Sequence, residues 1–347
     1  MKGKGFVILF IGLFLLAIGT VVYFMSQSKV KNVPQASYIH NQGDTQGTTY
    51  SITYQQPEGL DLQDKIEKRL HEFDMSLSTY IPNSIISRVN RNDTTVRTDE
   101  LFEVMFNEAH EVSIRTNGAL DITVGPLVKA WGFAFGNKDH SKLPNVSDFM
   151  SYIGYEKVRI KDHKVIKADP RIVIDANSIA QGYSSDVIAK LLDDNKCKNY
   201  MVEIGGEIVC KGLNDKGQKW RIGIDKAIDD STSTTEELQI IISITDCAVT
   251  TAGGYRKFYI KDGKKYSHII NPHTGRPIDN NMLSVTVIAP TGIIADAYDT
   301  PFMVLGVDSC MKICKSIPGM ECYVIYIDKN GKNQVIYSDG FKKYITQ

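Results

Sequence analysis

Apolar residues recur with a helical period in three stretches of this chain. Leu62, Ile66, Leu70 and Phe73 mark one face of a first helix. Leu101, Met105, Ala109 and Val112 mark a second, predicted to start at Thr98 with Asp99 and Glu100 in its first turn and to stop at Asn117-Gly118. Ile179, Tyr183, Val187 and Leu191 mark a third. Strand-like runs cover Tyr50–Tyr54, Val202–Ile204, Leu238–Ile244, Ser284–Ile288 and Cys322–Ile327. Helices and strands are interleaved, and several strands are close enough in sequence to pair antiparallel. No repeat and no Pro/Gly-rich break divides the globular part, which reads as one unit.

The N-terminus follows another pattern. Phe6–Met25 is a run of twenty residues without charge, preceded by Lys2 and Lys4. As a helix it would span about 30 Å, enough to cross a bilayer. A signal peptide has similar flanks. No small-x-small cleavage site follows and no Cys for lipid attachment, so residues 1–25 read as an uncleaved anchor. Lys29 and Lys31 weaken the charge bias that would orient it. Residues 26–45 are polar and aperiodic and read as a tether. Residues 46–347 make up the functional domain.

Composition narrows the function classes. The formal net charge is zero, which gives no support to nucleic-acid binding, since that needs a basic face. The six cysteines show no CxxC spacing; Cys310 and Cys314, at i and i+4, read as two buried helix positions.

The densest chemistry lies in Ala295-Asp296-Ala297-Tyr298-Asp299-Thr300. Asp296, Asp299 and Thr300 stand at i, i+3 and i+4, one side of a helical turn. Hard oxygens in that number suit Mg²⁺ or Ca²⁺; the plainer alternative is a set of helix caps. Pro301 follows directly and favours a second geometry, with Thr300 as N-cap and both acids in the turn before it.

Five further segments are rich in Gly and polar residues. Gln46-Gly47-Thr48 reads as a turn into a strand. Leu77–Ser84 holds Tyr80, able to stack on a ligand ring or simply to pack. Thr116–Val128 holds Asp121, a candidate acceptor or a turn acid. Ile174–Tyr183 ends a strand and opens a helix, whose free N–H groups suit a phosphate. Tyr266–Pro277 holds His268, a candidate general base or a structural histidine.

Taken in order, these segments resemble the FAD:protein FMN transferases, the ApbE family. The resemblance rests on Gly47-Thr48, Leu77-Ser78-Thr79-Tyr80 with Ser87-Arg88-Val89-Asn90, and Gly118–Leu127. It continues through Glu203-Ile204-Gly205-Gly206, His268–Pro272 with Thr274-Gly275, and Ala295–Thr300. It implies an α+β fold with a T-fold-like core. It also implies an enzyme that binds FAD and Mg²⁺ on the periplasmic side of the inner membrane. Such an enzyme moves FMN onto a Thr or Ser hydroxyl of an acceptor flavoprotein and releases AMP; homodimers occur in the family. Carried over by motif, the FAD contacts are Gln46, Tyr80, Ala119, Leu120, Asp121, Asp175, Gln181 and Ile270. The cation ligands are Ser178, Asp296, Asp299 and Thr300. Gln46 stands where the family often has Met, and Gln181 where it often has a charged residue. Two rival readings remain: an FAD carrier, which would need the FAD contacts but not the cation-binding acids, and a metal-dependent FAD pyrophosphatase, which shares every residue and uses water.

Overall fold

Eight strands form one antiparallel sheet whose spatial order is also their order along the chain. They are β1 (Ile39–Thr45), β2 (Thr48–Gln55), β3 (Asn199–Ile204), β4 (Glu207–Lys211), β5 (Cys247–Gly253), β6 (Met282–Ala289), β7 (Glu321–Ile327) and β8 (Asn333–Tyr337). The computed structural model describes residues 37–133, 142–226, 238–255 and 257–346. The predicted anchor at residues 1–25 lies outside them. Among the described residues no helix is long and apolar enough to cross a membrane.

Alternation along the strands sorts the core into two layers. Val209, Ala248, Val287 and Val324 face a large cluster with the helices. Their neighbours Ile208, Val249, Ile288 and Ile325 face a smaller one. The helices of the first layer are α1 (Gln63–Leu77), α2 (Glu100–Arg115), α3 (Ala180–Asp194), α4 (Gly292–Leu305) and α5 (Val307–Ser316). The second layer is a two-stranded ribbon of Trp220–Asp225 with Leu238–Ile244, closed by Phe341. Central β6 is covered on both faces and buried along its whole length. An antiparallel sheet with its main helices on one face is the expected α+β arrangement.

The structure corrects two boundaries. Residues 39–45, read from sequence as part of the tether, are strand β1 and pair with β2 along their full length. As an edge strand β1 buries few side chains, so its sequence carries no apolar alternation. The second helix begins at Glu100, not Thr98. Asp99 is its N-cap, accepting a hydrogen bond from the Phe102 amide at 2.8 Å.

The crossing of α3 and α4 sets the geometry of the site. A Cβ on Gly182 would lie 2.3 Å from the Gly292 carbonyl oxygen, and one on Gly292 would lie 2.2 Å from that of Gly182. The two backbones therefore touch with no side chain between them. The Asp186 carboxylate of α3 accepts from the first amides of α4, Gly292 at 2.7 Å and Ile293 at 2.8 Å. Gly182→Ala is expected to lower the unfolding free energy by about 1–3 kcal/mol, the usual cost of overpacking. Denaturant titration checks this; wild-type stability would mean that the crossing yields.

Candidate functional site

α4 runs unbroken through Pro301, so Asp296, Asp299 and Thr300 do share one helical side. The alternative with Thr300 as N-cap is overturned. The N-terminus of α4 lies at Gly292, where Asp186 satisfies the amides, and Pro301 sits deep in the helix. Proline there removes the bond to the Ala297 carbonyl, which the buried packing of Pro301 and Phe302 tolerates.

The Asp296 carboxylate accepts from the Gly182 amide at 2.8 Å and interacts with the Gln181 amide as well. The start of α3 is thus occupied by Asp296. The Gly182 and Gln181 amides, two of those expected to face a phosphate, are engaged within the protein. Burial pushes the Asp296 carboxyl up to about 7, against the two amides that favour its charge. Burial and the Asp296 charge raise Asp299 well above the ordinary carboxylate range. The Thr300 hydroxyl donates to Asp299 Oδ1 at 3.2 Å. Asp186 is raised to about 6, again by burial.

Glu207, which the sequence reading did not single out, joins these acids. Among the described residues, Glu207, Asp296 and Asp299 are one buried group with ligand oxygens all within 4.8 Å of each other. The signal was available: Glu207 directly follows the Gly205-Gly206 turn quoted in the family motif.

The other predicted segments converge through backbone and side-chain contacts. Gln46 and Gly47 form the two-residue turn of the β1–β2 hairpin, both at positive φ (51° and 73°). Gln46 Oε1 accepts from the Ser184 hydroxyl of α3 at 3.4 Å. Gln181 packs over Gly205, where a Cβ would come within 2.5 Å of its Nε2. Asn90 clamps the backbone of Ile174, donating to its carbonyl and accepting from its amide, both at 2.8 Å. The Asp175 amide bonds the Ile122 carbonyl at 2.7 Å, and Trp131 Nε1 donates to the Gly275 carbonyl at 2.8 Å. Burial and the Asp175 charge raise the Tyr80 phenol, and Tyr80 is 55% exposed.

Ala119, Leu120 and Ile270 are buried. Asp121 has a structural role: its carboxylate accepts from the Thr123 amide and hydroxyl (2.8 and 2.6 Å) and the Tyr155 amide (2.9 Å). Ser178 lies in the turn that precedes α3. His268 belongs to an aromatic group with Phe133, Tyr259, Tyr266 and Trp131. Its Nδ1 lies 3.0 Å from the Lys257 carbonyl oxygen. Nδ1–H as donor leaves the lone pair on Nε2.

The family model described as the ApbE family matches residues 46–324. The chain belongs to the ApbE family. It is 38% identical over 321 residues to the FAD:protein FMN transferase of Vibrio cholerae, covering 89% of this chain and 91% of that relative. It is 32% identical over 328 residues to the Haemophilus influenzae protein of the same name, covering 90% and 93%. The solved flavin transferase ApbE from Vibrio cholerae superposes with a TM-score of 0.78 at 36% identity, over 89% of this chain and 99% of that one. The flavinyl transferase ApbE of Pseudomonas stutzeri gives 0.79 at 27% identity, over 90% and 98%.

This ApbE chain buries acids whose folded forms hold protons more tightly than the unfolded chain does. Such groups stabilise the fold below the ordinary carboxylate pKa, and that contribution is lost as pH rises through the folded values. For Asp186 and Asp296 those values are about 6 and about 7. In a chelator, the thermal midpoint is expected to fall from about pH 5 to about pH 8, and Mg²⁺ is expected to flatten the decline. A flat profile in the chelator would show that the acids ionise in the fold without strain.

Proposed function

We propose that this chain transfers the FMN moiety of FAD to a Thr or Ser hydroxyl of an acceptor protein, with Mg²⁺, and releases AMP. We further propose that residues 1–25 anchor it to the cell inner membrane with the domain on the periplasmic side. The observation that carries the chemistry is the buried trio of carboxylates on α4 and β4. Buried acids with raised proton affinity are held charged by a bound cation more readily than by water, so the donor set fits a hard divalent ion. Asp296, Asp299 and Thr300 would hold it, with Ser178 nearby in sequence to Asp296's partner amides. When bound, such an ion withdraws charge from phosphate oxygens.

The remaining steps fall to the protein. Tyr80 and the segments around Asp121, Asp175 and Ile270 would position FAD. His268 Nε2 would take the proton of the acceptor hydroxyl. The hydroxyl oxygen bonds the FMN phosphorus, the bond from that phosphorus to the bridging oxygen breaks, and AMP departs. A carrier of FAD has no use for three buried acids, which disfavours that reading.

Incubating the full chain in detergent with FAD, Mg²⁺ and an acceptor domain, and weighing the acceptor intact, tests the proposal. A mass gain of one FMN, lost in Asp296→Ala, is expected. Release of AMP and FMN without a gain would favour the pyrophosphatase. His268→Ala is expected to keep FAD binding and to slow transfer by about 10²–10⁴; an unchanged rate removes His268 from the mechanism.

A further inference from the structure

The carboxylates of the cluster come from opposite sides of one packing layer. Asp296 and Asp299 descend from α4, while Glu207 rises from the first residue of β4. Glu207 is placed by three separate contacts. The Gly205-Gly206 turn before it has positive φ at both residues (66° and 101°). The Ser185 hydroxyl of α3 donates to its backbone carbonyl at 3.1 Å. The Thr251 amide of β5 donates to its Oε2 at 3.3 Å. The carboxylate is thus aimed by the sheet and by α3, independently of the helix that bears the other two acids.

A second feature of the same layer points to a ligand. Thr250 on β5 is fully buried, and its hydroxyl has no hydrogen-bond partner. It lies close enough to Asp299 to favour the charged carboxylate, though without hydrogen-bond geometry to it. A buried hydroxyl left without a partner keeps its full desolvation cost. Beside three carboxylates, a cation or its water would satisfy it.

We propose that Glu207 is itself a ligand of the divalent cation, so that the site is closed by three carboxylates drawn from both α4 and the sheet. This rests on the metal-dependent reading above and extends it. A third carboxylate raises affinity for hard cations through ligand charge. It also makes cation binding tie β4 to α4 across the core, and through Asp296 to the start of α3.

Calorimetric titration of the full chain in detergent with Mg²⁺ alone, without FAD or acceptor, tests this. E207Q keeps an oxygen for the Thr251 amide and removes the charge. It is expected to weaken Mg²⁺ binding by at least about tenfold, the smaller effect of losing even an outer partner of a metal site. It is also expected to abolish most of the Mg²⁺-dependent rise in thermal midpoint. Wild-type affinity in E207Q would overturn the proposal and leave the flavin-transfer reading intact. No Mg²⁺ binding by the wild-type chain would overturn both. Should circular dichroism show E207Q unfolded, ¹³C-glutamate labelling of the wild type decides. The Glu207 carboxyl signal, assigned through E207D, must shift on adding Mg²⁺, and an unmoved signal refutes the assignment.

Discussion

Two helices that each cap the other hold this site together. Asp186 of α3 closes the N-terminus of α4 through the Gly292 and Ile293 amides. Asp296 of α4 accepts from the Gly182 amide at the start of α3. The exchange is possible because Gly182 and Gly292 bring the backbones into contact. Neither helix supplies its own cap, since Ile179 and Thr291 make no side-chain capping bond. A carboxylate at a helix N-terminus is favoured by the aligned peptide dipoles as well as by the direct bonds. The same contact that fixes the helix pair therefore orients Asp296 and offsets part of the cost of burying its charge.

The sheet contributes what the helix pair lacks. Because β1 to β8 follow chain order, the turn between β3 and β4 delivers Glu207 to the helix-facing layer, and β5 beside it delivers Thr250. The parity of the strands decides this: Glu207 shares its face with Val209, and Thr250 with Ala248. A shift of one residue in either register would turn the acid or the hydroxyl toward the ribbon layer. Pairing along β4 and β5, including Ile208 with Val249, prevents that shift.

Much of this was legible in the chain, for identifiable reasons. The three helices with 3.6-residue periodicity and the apolar strands announced themselves, because burial on one face imposes a period. β1 did not, since an edge strand is held by backbone bonds that leave no apolar trace. Thr98 was misread as a helix start because Asp99 one residue later is the side chain that reaches the Phe102 amide. Asp296, Asp299 and Thr300 were legible as a helical trio, but Pro301 argued against them. In an isolated helix proline is a start signal; here Asp186, over a hundred residues away in sequence, places the start elsewhere. Glu207 was hidden for a similar reason. Its relation to Asp296 is made by tertiary packing, and only the Gly-Gly turn before it hinted that the backbone there has a special task.

The occupied start of α3 also changes how a diphosphate would have to be held. A helix N-terminus with open amides is a ready anion site, and the run from Asp175 to Gly182 has that look in sequence. In the fold several of those amides are committed: Ile179 and Ala180 to the Ala176 carbonyl, and Gly182 to Asp296. A phosphate approaching the Gly182 amide would meet the Asp296 carboxylate rather than a free donor. Two negative groups brought together in a buried layer repel unless positive charge stands between them. On the proposed metal-dependent reading, a cation between Asp296 and the phosphate would offset that repulsion. The buried carboxylates, costly to charge on their own, would on that reading favour a phosphate that enters together with its ion.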